Sequence, residues 1–301
     1  MAARRKVIFG RINRRMDAQA PINARPFAED VRVLSESRET IIELPSSGPE
    51  RPSRTWIAGD FTLDASGSFM TGLLGFRTQD EVRQFDEESW SWAKGETEQT
   101  EGAFHGTVVP FALDLRENMR WLSFATSNRI RHSNFQTGFK AAINQAVRNL
   151  GLWPTDWEVD LIVDRAEINE WIREHPDVFQ LIRKLQFSNP GLDLDGDRDE
   201  MRKLRARRKE ERYFAYPGQK FEIDSAEFQS KLVGLETGDA EVTLKSRGDS
   251  NATVQEFVSK ERPARSTIEE FGTDFDRGRD LVLAALREYV ARHPKPSSIT
   301  Q

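Results

Sequence analysis

The sequence predicts an α+β protein: a β-rich N-terminal portion, then a C-terminal portion based on the order β-β-α-β-α, with a long terminal helix. Three observations predict this class. Short apolar runs with the alternation of half-buried strands dominate the first part of the chain. Apolar stripes at helical spacing enter after residue 134. The order of strands and helices between residues 107 and 185 is typical of a sheet covered on one face.

The N-terminal portion begins with a strand over the apolar run 7–12. A basic cluster flanks this run, and residues 1–16 contain no acid. The cluster consists of Arg4, Arg5, Lys6, Arg11, Arg14 and Arg15. Two short apolar runs, 31–34 and 40–44, precede a proline-rich loop. The runs 56–63 and 68–76 flank Asp64-Ala65-Ser66-Gly67, whose turn residues predict a hairpin.

An acidic segment, residues 80–101, ends the N-terminal portion. It contains eight acids against two basic residues. This composition predicts a mobile acidic connector. In the alternative interpretation, Trp90 and Trp92 anchor the segment on a basic surface of this chain or of a partner subunit. We place the division of the chain after this connector, into a β-rich region 1–102 and an α+β domain 103–301.

The domain 103–301 opens with two strands, 107–115 and 121–126, and a helix follows. One face of that helix holds Phe139, Ile143, Ala146, Val147 and Leu150, with Asn134 as the expected N-cap and Gly151 just past its end. Residues 157–163 form the next strand. A further apolar pattern predicts a helix from Ile168 to Leu185 that Pro176 breaks or kinks.

Beyond Asn189-Pro190 the pattern predicts an acidic loop, a basic helix over residues 200–212 and strands near 220–223 and 241–245. The last element is a long helix that ends before Pro294. Its apolar stripe consists of Ile268, Phe271, Phe275, Val282, Leu286 and Val290.

The basic helix is the strongest functional signal. Its cations are Arg202, Lys203, Arg205, Arg207, Arg208, Lys209 and Arg212. At ~100° per residue these side chains spread around most of the helix, so several must face solvent or a polyanion. Arginine suits phosphate through its planar fork, and Arg11, Arg14 and Arg15 could add to the same surface. The expected ligand is the phosphate backbone of DNA, bound without sequence preference; a solvated helix is the alternative.

No motif in the sequence predicts a cofactor or a metal. The absence of cysteine excludes disulfides, thiolate nucleophiles and iron–sulfur clusters. The run Asp193, Asp195, Asp197 and Asp199 resembles the start of a calcium loop, yet Arg198 stands where such a loop needs glycine. We interpret the run as an acidic cap on the following helix. No run approaches the ~18 apolar residues of a spanning helix, so we expect no insertion into a membrane. The absence of cysteine favours a cytoplasmic protein.

A metal-dependent nuclease is the least favoured alternative. Suitable side chains occur at Glu158, Asp160, Glu241 and Lys245. Glu241 and Lys245 are nevertheless four residues apart, whereas the common nuclease signature separates its acid and lysine by two. The four histidines are His105, His132, His175 and His293, and no two lie at metal-ligand spacing. His132 follows Arg129 and Arg131 in a polar turn suited to phosphate contact.

Five segments follow one another over roughly residues 120–292: FKAAINQAVRNLG, WEVDLIVD, LIRKLQFSNPG, the charged segment and the final helix. In this order they resemble RexA-like phage-exclusion proteins. The resemblance implies a cytoplasmic homodimer that binds DNA and signals phage infection to a membrane or protein effector encoded nearby. It transfers no catalytic residue. The sequence thus predicts a non-enzymatic DNA-binding sensor of phage defence, and a protein-interaction subunit without nucleic-acid affinity is the runner-up.

Overall fold

The computed structural model describes residues 4–14, 27–36, 42–44, 54–78, 84–86, 91–93, 107–116, 119–150, 157–186, 197–248 and 253–293. Its strands are β1 (Arg4–Arg14), β2 (Ile42–Leu44), β3 (Arg54–Leu63), β4 (Phe69–Thr78), β5 (Gln84–Asp86), β6 (Ser91–Ala93), β7 (Thr107–Asp114), β8 (Trp121–Ala125), β9 (Trp157–Leu161), β10 (Val178–Leu185), β11 (Lys209–Phe214), β12 (Ala240–Arg247), β13 (Val254–Val258) and β14 (Arg265–Glu269). Its helices are α1 (Phe27–Glu36), α2 (His132–Asn149), α3 (Arg165–Glu174), α4 (Asp197–Leu204), α5 (Ala226–Lys231) and α6 (Phe275–Arg292), and Ser259–Glu261 form a 3-10 turn.

The larger of the two main sheets is built around β1. Its strand order is β14-β1-β8-β7-β4-β3-β2, and its strand pairs are antiparallel. One edge of β1 pairs with β8, while the other pairs with β14 over its first half and with β9 over its second half. The long strand β1 therefore joins segments from both ends of the chain.

Helices cover both faces of this large sheet. Side chains alternate along β1, so Ile8 and Ile12 pack in the core beneath α1 and α2, whereas Val7 and Phe9 pack against α6. α2 buries its apolar face there through Phe135, Phe139, Ala142, Ile143, Ala146 and Val147. On the opposite side, α6 contributes Val282, Leu286 and Val290.

A smaller sheet has the order β11-β10-β12-β13. One of its faces shares a core with residues of α3, α4 and α5, including Trp171, Met201 and Phe228. The other face, which we call the outer face, carries half-buried and exposed side chains. β11 forms one edge of this sheet, pairing only with β10 among the described strands.

The predicted helix beyond Pro176 is wrong, because this segment is the strand β10. Its buried residues are Val178, Leu181, Arg183 and Leu185, a spacing close to the two-residue period of a strand. Phe179, Ile182 and Leu185, three residues apart, had suggested a helical stripe. α3 ends at Glu174, before Pro176.

Several element boundaries also differ from the predictions. α6 begins at Phe275, because the Asp274 carboxylate accepts a hydrogen bond from the N–H of Arg277 as its N-cap; Ile268 instead belongs to β14. α2 begins at His132 with Arg131 as its N-cap, so the helix starts three residues earlier than an N-cap at Asn134 would place it. The apolar run 31–34 lies in the helix α1. Residues 220–223 form no strand.

The acidic connector contains a small antiparallel pair, β5 with β6. The other residues of 80–101, including Trp90, lie outside the described residues, and so do the side chains of both strands. Neither interpretation of this connector is tested by the structure.

The α+β class, the β-rich N-terminal portion and the long C-terminal helix are confirmed. The boundary placed at residue 102 does not separate two sheets, since β4 pairs with β7 and β1 pairs with β8, β9 and β14. Among the described helices, none has the combination of length and apolar character that crossing a membrane requires.

Candidate nucleic-acid interface

The predicted basic helix over residues 200–212 is wrong: two elements and a tight turn occupy this region. α4 ends at Leu204 and β11 begins at Lys209. Arg205 has a left-handed backbone conformation, with φ of 54°. The N–H of Ala206 donates to the carbonyl of Met201 at 2.8 Å, which is the hydrogen bond of a Schellman motif. An arginine therefore occupies the position at which glycine usually ends a helix.

We call residues 203–208 the arginine turn. Each of its side chains is exposed, including those of Lys203, Arg205, Arg207 and Arg208. The side chain of Arg202, on α4, lies outside the described residues. The turn thus presents four of the seven predicted cations to solvent.

Lys209 faces the protein instead. Its ammonium donates to Asp197 and to Glu200, each at 2.6 Å. These hydrogen bonds, the one to Asp197 first, raise the pKa of Lys209 above its ordinary value. The fully buried Arg183 donates to Asp197 and Glu211 in the same network. Lys209 therefore anchors α4, and its charge is not available to the predicted interface.

The first turn of α4 is acidic, as the sequence predicts. Asp197, Asp199 and Glu200 lie in it, where carboxylates are favourable beside the helix N-terminus. Asp193 and Asp195 lie outside the described residues.

Three further cations of this region form contacts that are exposed to solvent. Arg212 donates to Glu210 at 2.7 Å, and Arg207 donates to Glu158 at 3.3 Å. Arg208 donates to the neutral side chain of Gln186 at 3.2 Å. Exposed ion pairs contribute at most about 1 kcal/mol, so these arginines can exchange their partners for phosphates at little cost.

The N-terminal cluster does not face outward as a unit. Arg11 is 4% exposed, and its Nε donates to the carbonyl of Met119 at 3.0 Å. Burial lowers the pKa of the Arg11 guanidinium, and the nearby carboxylates of Asp239 and Asp160 oppose this shift. The prediction that Arg11 contacts nucleic acid is therefore wrong. The side chain of Arg14 and the whole of Arg15 lie outside the described residues.

The first residues of β1 carry cations that do face solvent. Arg4 and Lys6 are exposed and lie on the same side of β1 as Ile8, the side that α2 covers further along the sheet. With Arg129 they line an open cavity of about 580 Å³, the basic groove. Its remaining lining residues are Arg5, Thr107, Thr126, Ser127, Asn128 and Glu270. Arg5 forms an ion pair with Glu270. The hydroxyls of Thr107, Thr126 and Ser127 and the amide of Asn128 can bind phosphate oxygens.

The N-terminus of α2 adds positive potential near this groove. No side chain caps it, and its first turn contains no acid, so its unsatisfied N–H groups and the helix dipole favour an anion. Burial lowers the pKa of His132; the charges of Arg131 and Lys260 lower it further, and Glu261 opposes them. Lys260 therefore lies close to the start of α2.

Cations continue from here toward the arginine turn. Lys260 and Gln136 of α2 line one small cavity. Further along α2, Lys140 contacts an oxygen of Glu158 at 3.0 Å, and Arg207 contacts the same oxygen at 3.3 Å. α2 rises about 12 Å from His132 to Lys140. We call the whole set the basic track: Arg4, Lys6, Arg129, Arg131, Lys260, Lys140, Arg205 and Arg207.

Much of this charge has no carboxylate partner. In the part of the chain that the structure describes, Arg4, Lys6, Arg129, Arg131, Lys260 and Arg205 form no ion pair. The acids along the track include Asp160, Glu158, Glu241, Glu261 and Glu270. Sequence patterns had marked Arg129, Arg131 and the arginine turn. They could not mark Lys140 or Lys260, because only the tertiary fold brings these residues to one surface.

The four candidate nuclease residues do not converge. Asp160 and Glu241 line a cavity of about 20 Å³ with Lys260, room for about one water. Lys245 instead lies 3.6 Å from Glu256 on the neighbouring strand. Across the described ranges, no cluster of three or more histidines and acids could hold a metal.

His175 and His293 have structural surroundings. Each follows the end of a helix, and its Nδ1 lies 3.0 Å from the carbonyl oxygen four residues earlier. Their rings stack on Trp171 and Tyr289, respectively. His105 lies outside the described residues.

Residues 78–289 match a protein-family model described as "Domain of unknown function (DUF4747)". No curated protein matches the chain. The matched residues contain α2, Lys260 and the arginine turn, whereas Arg4 and Lys6 of the basic groove precede them.

Proposed function

We propose that this chain, which belongs to the DUF4747 family of unknown function, is a non-enzymatic protein that binds the DNA phosphate backbone without sequence preference. The supporting observation is the basic track. Six of its eight cations have no carboxylate partner among the described residues. Like charges repel one another on a protein surface, and a polyanion relieves this repulsion.

The side chains of the track favour phosphates over base edges. Arginine forks, serine and threonine hydroxyls and a helix N-terminus are the groups that commonly contact phosphates. α2 packs its apolar face against the large sheet. Its N-terminus and the side of the helix that carries Lys140 therefore face the ligand. Sequence-specific contact with base edges would instead require an α-helix or a two-stranded β-ribbon that enters the major groove.

Phage exclusion in the cytoplasm is the setting of this proposal, with a homodimer and an effector encoded nearby. It rests on the element order that resembles RexA-like proteins. The elements of this order that the structure retains are α2, β9 and α6. The segment LIRKL, which was expected to end a helix, forms a strand. This setting can be tested by phage plating on three strains, which carry the gene, its neighbouring gene, or both genes. Protection that needs both genes supports the setting, and equal plating on all three strains contradicts it.

The Lys6→Ala/Arg129→Ala double variant tests the basic groove. We expect weaker binding to a labelled 20-base-pair duplex and a plot of log K against log salt that is shallower by about 1.8, since each lost phosphate contact contributes about 0.9. Fluorescence anisotropy between 50 and 200 mM salt measures both. Arg287→Ala/Arg292→Ala is the charge-matched control on α6, across the large sheet, and should leave the slope unchanged. Absence of duplex binding by the unmodified protein at low salt would refute the proposal and favour an interaction subunit.

The Arg205→Gly variant separates folding from binding. Glycine accepts the left-handed conformation without strain, so the free energy of unfolding should rise by about 1 kcal/mol. DNA affinity should nevertheless fall several-fold, with a salt slope shallower by about 0.9. Urea denaturation and anisotropy on the same samples give the two quantities, and Arg205→Lys, which keeps the charge, is the control. Unchanged affinity in a stabilised Arg205→Gly protein would remove the arginine turn from the interface.

A further inference from the structure

Two exposed aromatic rings lie at the end of β11: Phe214 is its last residue, and Tyr216 follows two residues later. Phe214 is 64% exposed and Tyr216 is 78% exposed. Phe214 and Tyr216 lie two and four residues after Arg212, so their side chains point to the same exposed side as that of Arg212. Glu211 and Tyr213 are half-buried on the opposite, inward face. The exposed side chains along this edge form what we call the outer strip: Arg208, Glu210, Arg212, Phe214 and Tyr216.

The backbone holds both rings in an ordered arrangement. Pairing with β10 continues past Phe214, since the N–H of Ala215 donates to the carbonyl of Phe179 at 2.8 Å. Tyr216 begins a tight turn in which the N–H of Gln219 donates back to its carbonyl at 2.8 Å. Pro217 and Gly218, with φ of 78°, occupy the central positions that a type II turn favours. The two α-carbons are therefore about 6.8 Å apart, the repeat of two strand residues.

The surroundings of the rings are basic. Glu210 is the strip's acid, and it lies 2.7 Å from Arg212 and 4.0 Å from Lys184 on β10. The hydrogen bond from Arg212 lowers the pKa of Glu210, and the charges of Lys184 and Arg208 act in the same direction. Three cations therefore surround Glu210, and Glu241 on β12 lies directly across from Lys184. Further across the outer face, Lys245 is matched by Glu256.

We infer that the outer strip binds unpaired bases of single-stranded nucleic acid, which stack on Phe214 and Tyr216 while Arg208 and Arg212 hold the flanking phosphates. Aromatic rings accept any base on their faces, and basic residues beside them follow the backbone. An apolar protein partner would have to bury Glu210, Arg212 and Lys184, at a desolvation cost. Gln180, rather than an apolar residue, lies directly across from Phe214.

This inference deepens the proposed function and rests on it. Arg208 belongs to both the arginine turn and the outer strip, and its neighbour Arg207 contacts Glu158 beside α2. The basic track and the outer strip therefore meet at the arginine turn. A duplex on the track could continue as an unpaired strand on the strip, so the ligand class is DNA with a single-stranded portion.

The Phe214→Ala/Tyr216→Ala variant tests the inference, with anisotropy of a labelled 12-nucleotide oligo(dT) and of a 12-base-pair duplex. Loss of two stacking partners should weaken oligo(dT) binding by about 100-fold, at about tenfold for each base, while duplex affinity changes by less than about twofold. Phe214→Leu/Tyr216→Leu should show a comparable loss, because it keeps the apolar surface but removes the rings. Val254→Ala, an exposed apolar residue on the other edge strand β13, is the matched control.

The outcomes separate this inference from the proposed function. If the unmodified protein binds neither oligonucleotide, the proposed function fails. If it binds both and the alanine variant retains oligo(dT) affinity, the outer strip is not a base-binding site and the proposed function stands. If the alanine variant sediments as a monomer while the unmodified and leucine proteins sediment as dimers, the rings face a second copy of the chain and the inference is overturned.

Discussion

Replacing Arg11 with methionine is expected to lower the free energy of unfolding by about 3–5 kcal/mol, the usual cost of removing one partner from a buried charge group. Arg11 is 4% exposed and faces Asp239, itself 1% exposed, and Asp160. Without the guanidinium, the buried carboxylate of Asp239 and the half-buried carboxylate of Asp160 lose a neighbouring cation, and the Met119 carbonyl loses its donor. Urea denaturation followed by circular dichroism measures the effect.

Two comparisons identify its cause. Arg4→Met, an exposed change on the same strand, should alter the free energy of unfolding by less than about 0.5 kcal/mol. Adding Asp239→Asn to Arg11→Met should restore at least about 1 kcal/mol, because one of the stranded charges is removed. An Arg11→Met protein that loses less than about 1 kcal/mol would show that the carboxylates are compensated by other groups.

The location of this charge group explains why its loss affects the whole fold. Asn13 on β1 donates to Asp160 on β9 at 2.6 Å, and Thr237 donates to Asp239 at 2.8 Å just before β12. Gly238 has φ of 74°, and a side chain there would overlap Asp160. β1 and β9 belong to the large sheet and β12 to the small one, so the group fastens the two sheets together.

Arg11 also shows where sequence patterns succeed and where they fail. The apolar residues of 7–12 predict a strand, and β1 is that strand. The same alternation places residue 11 with Val7 and Phe9, on the side that α6 covers. The cluster of like charges suggested a solvent-facing surface, but the carboxylates that make burial of Arg11 favourable lie more than 140 residues away. No local pattern carries that information.

The predictions for residues 178–185 and 200–212 failed for different reasons. Phe179, Ile182 and Leu185 fit a helical stripe, yet the segment also fits a strand, and short apolar runs do not distinguish the two. In the basic segment, helix-forming residues continue through Arg208, and no glycine marks the end of α4. The ion pairs that Asp197 forms with Arg183 and with Lys209 outweigh the strain at Arg205, so tertiary contacts decide the boundary.

The candidate interface was accordingly predictable only in part. The arginine turn and the pair Arg129 and Arg131 are visible as local concentrations of charge. Arg4 and Lys6 belong to a recognised cluster in which Arg5 pairs with Glu270 and Arg11 is buried, while the side chain of Arg14 and the whole of Arg15 lie outside the described residues. Lys140 and Lys260 look like ordinary surface lysines, and only the packing of α2 between β9 and the 3-10 turn makes them neighbours of the arginines.

Replacing Arg183 with methionine is expected to cost a similar 3–5 kcal/mol and, in addition, to weaken DNA binding several-fold without removing a contact residue. Arg183 is fully buried and lies within 3.4 Å of both Asp197 and Glu211. Asp197 lies in the first turn of α4, and Glu211 lies on β11. The guanidinium therefore joins the two elements that flank the arginine turn, and its loss should let that turn move.

The neighbouring residue provides the control, because Lys184 lies on the outer face with a side chain 42% exposed. Lys184→Met should change the free energy of unfolding by less than about 0.5 kcal/mol.

Hydrogen exchange separates the two effects of Arg183→Met: local loosening should accelerate exchange in α4 and β11 before it does so in β1 or α6. β11 is especially sensitive, since among the described strands it pairs only with β10 and is otherwise held by this charge network and by Tyr213 against the core. Uniform acceleration across the whole chain, with unchanged affinity per folded molecule, would instead mean that Arg183 supports the core and has no influence on the arginine turn.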